Sequence, residues 1–204
     1  MIQKLYYDNT NSRDVNHVAD LLANEGVVII PSDSLYAFAC SMQCRRAVEK
    51  IAQLKGFTIK KAKYSMLCSS LSQASEYIRP VDKDIYQVLR SALPGPFTFI
   101  LNANNQVPRN YQNPNKTIGI RIPNNSICKS IIDALGCPLI ATSVRLENEN
   151  QEKEYITDPE LIHELFGDRV DLVIDAGIGE DIPSTVVDCS GGDVEIIRQG
   201  KGIL

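Results

Sequence analysis

Short apolar runs alternate with segments of helical periodicity along most of this chain. The runs that predict strands lie at 27–30, 64–68, 97–101, 117–123, 139–142, 172–175, 185–188 and 194–197. The first run, Val27-Val28-Ile29-Ile30, consists of β-branched residues and ends at Pro31, so it is typical of a buried strand. Strands that alternate with helices in this way indicate an α/β protein built on a mixed or parallel sheet.

Apolar residues three and four positions apart predict the helices between these strands. They lie at 15–22, 48–54, 72–77, 82–91 and 127–135. Asp14 is the expected N-cap of the first helix and Gly26 its expected stop. The polar segment 102–116 is predicted to be an exposed loop, and 145–155 a mobile surface segment. The sequence shows no internal repeat, low-complexity tract or linker, so residues 1–204 are predicted to form one domain.

The strand predicted at 117–123 alternates with period two and carries an unusual charge. Thr117, Gly119 and Arg121 fall on one face, and the intervening isoleucines fall on the other. A guanidinium in an apolar strand commonly pairs with a fixed carboxylate or with an anionic ligand, because it cannot neutralise itself. The pattern alone leaves a structural salt bridge and a ligand site equally open for Arg121.

Hydroxyls and cations also stand at the ends of other predicted strands. They are Ser32, Ser34, Ser143, Ser184 and Arg198, with Lys55 and the lysines at 60, 61 and 63 beyond a predicted helix. Strand ends in α/β proteins face the crevice where ligands bind. Serines are equally common in turns, and lysine clusters are often solvated surface. Taken together, these residues suit a cleft for a ligand with phosphates at one end and a carboxylate at the other.

Composition narrows the class of protein further. The chain has 204 residues, of which 44% are hydrophobic, enough for one sizeable core, and its net charge is −4. This acidity argues against general nucleic-acid binding but leaves a local basic patch open. The six cysteines form no CxxC pair and lie far from both histidines, so we expect no structural metal and free, mostly buried thiols. No apolar run suits a signal peptide or membrane helix, and a cytoplasmic protein is the expectation.

Several kinds of catalysis lack their sequence signatures. The two histidines, His17 and His163, stand beside no recognisable nucleophile motif, as a serine or cysteine hydrolase would need. Neither the phosphate-binding Walker loop nor the G-x-G-x-x-G dinucleotide fingerprint occurs. An enzyme with this sequence would therefore work mainly by binding and orienting its reactants.

Seven segments, in order, resemble the YrdC/YciO family, which includes the threonylcarbamoyl-adenylate synthases. They are Pro31-Ser32-Asp33-Ser34-Leu35-Tyr36, Leu54-Lys55-Gly56, Leu93-Pro94-Gly95-Pro96-Phe97-Thr98, Thr117 to Pro123, Ala141-Thr142-Ser143, Pro183-Ser184-Thr185-Val186-Val187-Asp188 and Ile197-Arg198-Gln199-Gly200. The resemblance extends over residues 12–204. It implies a twisted, open, mixed sheet with flanking helices and a concave ligand-binding face.

The resemblance also implies a reaction and roles for the residues in the cleft. The family's activity condenses ATP, L-threonine and bicarbonate, with Mg²⁺, into threonylcarbamoyl-adenylate, which feeds the N6-threonylcarbamoyl modification of adenosine 37 in tRNA. By matching position, the residues expected to bind threonine are Ser32, Ser34, Arg121 and Ser184. Those expected to bind ATP are Lys55, Thr117, Ser143 and Arg198. Lys55 and Arg121 are the expected catalytic residues.

Two family elements differ in this chain and resemble the YciO branch. Phe57 stands where the K-x-R element has its arginine, and Arg145 where the S-A-N element has its asparagine. Three functions therefore remain open. The first is a synthase-like protein that binds ATP and threonine, and the second is a non-catalytic protein that binds tRNA, double-stranded RNA or the ribosome on the concave surface. The third is an enzyme that uses another adenylate or carbamoyl substrate.

Overall fold

The computed structural model describes residues 1–7, 11–59, 63–147 and 153–204. Lys60 and Lys61 of the predicted basic loop, and the centre of the segment predicted to be mobile, lie outside these ranges. Within them the helices are α1 Ser12–Ala23, α2 Arg45–Leu54, α3 Leu71–Ser75, α4 Lys83–Ala92, α5 Ser126–Leu135 and α6 Pro159–Phe166. The strands are β1 Ile2–Lys4, β2 Val28–Ile30, β3 Ala37–Ser41, β4 Ser65–Leu67, β5 Phe97–Asn102, β6 Thr117–Arg121, β7 Leu139–Ser143, β8 Arg145–Glu147, β9 Lys153–Tyr155, β10 Leu172–Asp175, β11 Thr185–Asp188 and β12 Glu195–Arg198.

Ten of these strands form one mixed sheet. Their order is β1-β10-β2-β3-β7-β4-β6-β5-β11-β12. Five of the pairings are antiparallel and four are parallel, including β4 with β6 and β5 with β11. The alternating pattern of strands and helices therefore predicted the fold class correctly, because strands buried between helices are selected for apolar runs.

Two hydrophobic layers cover the sheet unequally. On one face, α1 and α5 pack on β2, β3, β7 and β10, with Val18, Ile131 and Ile174 among the fully buried side chains of that layer. The other face is covered along its length, and its core includes Phe38, Phe99 and side chains from α2, α4 and α6. No side chain of β5, β6 or β11 joins the layer made by α1 and α5. That part of the first face is left open as the concave surface.

The structure corrects several details of the sequence-based prediction. The N-cap of α1 is Asn11, whose side chain accepts from the N–H of Arg13, and Asp14 lies instead in the first turn. The flanks of segment 145–155 are not a loose surface segment, since β8 and β9 pair antiparallel with Arg145 opposite Tyr155. Strands β1 and β3 were not predicted. β3 reads Ala-Phe-Ala-Cys-Ser, a composition with little β-propensity, and pairing with β2 and β7 on both sides makes it a strand.

The cysteines are unpaired in the structure. All six are free thiols, and five of them are buried. Burial raises the pKa of the Cys128 thiol to about 12, so this side chain acts as a small apolar group in the core. None of the helices in the described ranges is long and apolar enough to cross a lipid bilayer.

Candidate functional site

The floor of the open face is built by small and polar side chains of β6 and its neighbours. The alternation predicted for β6 holds, because Ile118 and Ile120 point into the core and Thr117, Gly119 and Arg121 lie on the concave face. A Cβ at Gly119 would come within 3.0 Å of Thr98 Cγ2. Glycine therefore avoids a close contact where β6 passes Thr98. Because glycine has no side chain, it also leaves the cleft deeper at this point.

Arg121 is held rigidly at one end of this floor. Its Nη2 donates to Asp33 Oδ1 at 2.7 Å and to Ser34 Oγ at 2.9 Å. The second oxygen of Asp33 accepts from the backbone N–H of Asn124 at 2.8 Å. The side chains of Arg121 and Asp33 are only 10% and 9% exposed. The structural salt bridge that the sequence left open is thus present.

The same arginine has a second group without a partner. Its Nε is buried and finds no hydrogen-bond acceptor in the described part of the chain. A buried N–H without an acceptor is costly, and a ligand oxygen or water that reached it would relieve this cost. The ion pair of Arg121 with Asp33 is therefore shown, and its role in ligand binding stays a prediction.

The loop between β2 and β3 presents two serines beside Arg121. Ser32 Oγ donates to the carbonyl of Leu35 at 2.7 Å and accepts from the N–H of Ser34 at 3.1 Å. The two hydroxyl oxygens are 3.3 Å apart. The turn predicted for this loop is therefore present, and its hydrogen bonds hold both hydroxyls near Arg121, which donates to Ser34.

A second group of polar side chains lies where β5, β11 and β12 meet, with Thr98 on β5, Ser184 just before β11 and Arg198 at the end of β12. Ser184 Oγ is 2.8 Å from Thr98 Oγ1, and Arg198 Nη2 donates to the carbonyl of Ser184 at 2.6 Å. Because Val186 is paired with both Thr98 and Arg198, these residues form a row across the sheet. The structure thus places Arg198 with Ser184 on the side of the cleft predicted to bind threonine.

The other residues predicted to contact ATP lie farther along the strands. Lys55 Nζ donates to the carbonyl of Ser143 at 2.8 Å. Thr117 begins β6 and Arg121 ends it, so the two are separated by roughly 13 Å along the strand. Thr117 Oγ1 accepts from Asn113 Nδ2 at 3.1 Å. Lys55 and Ser143 thus contact each other, Thr117 and Arg121 stand at opposite ends of β6, and the roles given to them stay predictions.

Two other cations influence Arg198 electrostatically. Burial lowers the pKa of the Arg198 guanidinium, and the positive charges of Arg121 and Arg145 lower it further, while Tyr155 acts in the opposite direction. Arg145, which stands where the family has asparagine, thus influences Arg198 as Arg121 does.

Four residues at the cleft had been given no role from the sequence. Asp33 and Thr98 lie within segments that resemble the family, and Thr98 interrupts the apolar run of β5 on the face opposite Phe97 and Phe99. Lys201 donates to the carbonyl of Asp33 at 3.2 Å and forms a 3.0 Å ion pair with Glu180. Only the tertiary structure reveals Lys201 and Glu180, because they meet the loop of Asp33 from distant parts of the chain.

Phe57 does not belong to the polar surface of the cleft. Its side chain is 38% exposed, and its backbone N–H bonds the carbonyl of Ala52 as α2 ends. No group of three or more histidine, cysteine, aspartate or glutamate side chains that could hold a metal occurs in the described residues.

Comparison with known proteins decides the family. A model of the Sua5/YciO/YrdC family, described as "Telomere recombination", matches residues 20–200. A Haemophilus influenzae protein is 34% identical over 199 residues, covering 97% of this chain and 94% of the relative. The chain belongs to the Sua5/YciO/YrdC family. A threonylcarbamoyl-AMP synthase of Klebsiella pneumoniae is 28% identical over 195 residues, covering 95% of this chain and 99% of that enzyme.

Solved structures of this family have the same fold. The crystal structure of Escherichia coli YciO superposes with a TM-score of 0.90 at 30% identity, over 100% of this chain and 97% of YciO. Pyrococcus abyssi Sua5 in complex with L-threonine gives a TM-score of 0.88 at 20% identity, over 98% of this chain and 57% of Sua5. The sequence-based prediction of a YrdC/YciO-like α/β fold is confirmed.

Proposed function

We propose that this protein binds ATP and L-threonine in the concave cleft and condenses them with bicarbonate into threonylcarbamoyl-adenylate. Arg121 carries this proposal, because its Nη2 is fixed by Asp33 while its buried Nε has no acceptor in the described residues. A carboxylate is the group that a preorganised guanidinium recognises best. The relatives named threonylcarbamoyl-AMP synthase and the threonine complex of Sua5 support the same assignment.

The two ends of the cleft suit the two substrates. Near Arg121, the hydroxyls of Ser32, Ser34 and Ser184 would hold the carboxylate and hydroxyl of threonine. At the other end, Lys55, Thr117 and Ser143 would contact ATP, and Arg198, which was also predicted to contact ATP, lies beside Ser184. The amino group of threonine would first combine with bicarbonate to give the carbamate, with loss of water. An oxygen of this carbamate would then attack the α-phosphorus of ATP, and pyrophosphate would leave. The protein would contribute orientation and neutralisation of charge, with Lys55 and Arg121 as the leading catalytic candidates.

The direct test is product formation. Purified protein is incubated with ATP, L-threonine, bicarbonate and Mg²⁺, and pyrophosphate release is followed while threonylcarbamoyl-adenylate is sought by mass spectrometry. A YrdC-type enzyme serves as the positive control, and reactions that lack threonine or bicarbonate give the background. Product above background establishes the synthase and its place in threonylcarbamoyl modification of tRNA. If ATP binds but no product forms, the cleft serves another reaction.

A second candidate is RNA binding by the same concave surface without turnover. The observation that favours it is that the positive charges of Arg121 and Arg145 both act on Arg198, since cations within electrostatic range of one another suit phosphate groups. Titration of labelled tRNA and duplex RNA at increasing salt distinguishes the two functions. Affinity that falls steeply with salt, is lost in Arg198→Ala and is accompanied by no pyrophosphate release would establish this second candidate.

A further inference from the structure

A second basic surface lies outside the cleft, on the loop that connects β5 to β6. This loop and Arg79 enclose an open groove of about 760 Å³, within the size range of small-ligand sites. None of the residues predicted to bind ATP or threonine lines this groove. It does share a wall with the cleft, because Asn113 lines it and also bonds Thr117.

Three cations line this groove, two from the loop itself and one from the segment between α3 and α4. Arg79, Arg109 and Lys116 line it, and no aspartate or glutamate does. In the described ranges, none of the three side chains forms a salt bridge or a side-chain hydrogen bond. The side-chain amides of Asn105 and Asn110, which also line the groove, have no hydrogen-bond partner there either. The groove is thus positively charged in a protein whose net charge is −4.

The groove is preformed by its own backbone. Ala103 N–H donates to the carbonyl of Lys116 at 2.9 Å, which closes the base of the loop. Gln112 Nε2 donates to the carbonyl of Val107 at 2.7 Å. Val107 and Tyr111 are buried in the core, so they anchor the middle of the loop. A ligand would therefore meet a fixed surface and would spend little of its binding energy on ordering it.

Lys116 occupies a backbone conformation that lysine rarely adopts. Its φ is +59°, in the left-handed region where glycine and asparagine are the unstrained residues. Lysine brings no local backbone advantage at this position, and its side chain points a charge into the groove. The position therefore offers a substitution, Lys116→Gly, that removes the charge while relieving the backbone.

We propose that this groove is a second binding site, for ligands that present several phosphate oxyanions. Three separated cations exceed what one carboxylate can neutralise, and the planar guanidiniums of Arg79 and Arg109 match phosphate oxygens in two-point contacts. Such oxyanions occur in a free polyphosphate and in the backbone of an RNA strand. This site goes beyond the condensation reaction, which takes place in the cleft of Arg121.

Two probes distinguish these sources. Inorganic tripolyphosphate is titrated by calorimetry, and a short fluorescein-labelled single-stranded RNA is titrated by anisotropy at low and physiological salt. The triple variant Arg79→Gln, Arg109→Gln, Lys116→Gln should weaken at least one probe about tenfold or more, as expected for three partly exposed contacts. Preference for the RNA, with a smaller salt dependence in the variant, assigns the groove to an RNA chain. Equal or better binding of tripolyphosphate assigns it to a small ligand.

Control variants distinguish binding at the groove from binding at the cleft and from a general effect of net charge. The matched variant Arg13→Gln, Arg46→Gln, Arg90→Gln removes the same charge from exposed positions elsewhere and should bind as wild type does. Lys116→Gly should weaken binding of the probe while keeping or raising the melting temperature of the protein. Hydrogen exchange should slow in residues 103–116 when the probe binds. The proposal is overturned if neither probe binds, or if the groove variants bind both as tightly as the matched control.

Discussion

Arg121 and Asp33 form a nearly buried ion pair, with Nη2 and Oδ1 2.7 Å apart, across 88 residues of sequence. The other oxygen of Asp33 is bound by the N–H of Asn124, close to the end of the strand that carries Arg121. The carboxylate is therefore held at both oxygens and anchors the guanidinium through Nη2. We expect this anchoring to set the orientation of Arg121 toward a ligand.

Asp33 is a positioning residue for threonine, and Asp33→Asn tests this role. The amide keeps the shape of the side chain but removes the charge that orients Arg121. Threonine affinity should fall about tenfold, because a small displacement of a binding group has large effects, while ATP affinity should stay unchanged. Calorimetry with each substrate measures the two separately. An equal fall for both substrates would indicate a general loss of structure instead.

A double-mutant cycle at Arg121 and Asp33 distinguishes the effect of the ion pair on protein stability from its effect on threonine binding. Arg121→Met alone leaves the Asp33 carboxylate buried without its partner, which should lower the free energy of unfolding by about 3–5 kcal/mol. The double variant Arg121→Met, Asp33→Asn should recover most of this loss, since a neutral pair needs no compensation. Urea denaturation measures both. Threonine binding should be lost in both variants, and a double variant that still bound threonine would refute the role of Arg121.

Phe57→Arg restores the cation that the family has at this position. Phe57 is partly exposed, so the substitution should change stability by no more than about 0.5 kcal/mol. One added hydrogen bond to a phosphate should raise ATP affinity about tenfold. The control is Phe57→Gln, which has a polar side chain without charge. If both variants bind ATP equally, the phosphates lie elsewhere in the cleft.

Thr185 holds the C-terminal turn beside the cleft. Its hydroxyl is fully buried, donates to the carbonyl of Gly202 at 2.6 Å and accepts from the N–H of Gly200 at 2.9 Å. Thr185→Val keeps the shape and leaves these groups unsatisfied, which should cost about 1–3 kcal/mol of stability. Thermal unfolding measures the cost, and hydrogen exchange should accelerate in residues 199–202. Thr185→Ser keeps the hydroxyl and should behave nearly as wild type does.

Much of the fold can be predicted from local patterns of apolar and polar residues in the sequence. β6 illustrates this, since alternation alone assigned Thr117 and Arg121 to one face and the isoleucines to the other. The β-branched run of β2 and the helical spacing of apolar residues in α5 predicted these two elements in the same way. Such patterns are visible because burial acts on every second residue of a half-buried strand and on every third or fourth residue of a helix. β3 was missed because its alanines and serine carry no such signal and long-range pairing decides their conformation.

From the sequence, the candidate site could be predicted only as a set of residue types, without the contacts between them. The sequence singled out Arg121, Ser34 and Arg198 from their unusual polarity, and the family segments assigned them roles. It had no means of matching Arg121 with Asp33, or Lys201 with Glu180, because such pairs depend on how distant strands and loops meet. Which nitrogen of Arg121 is satisfied and which remains for a ligand is likewise decided by tertiary structure. A hydrogen bond requires its donor and acceptor atoms to be about 3 Å apart. Sequence patterns show which residues are buried, but they do not show which buried residues come this close to each other.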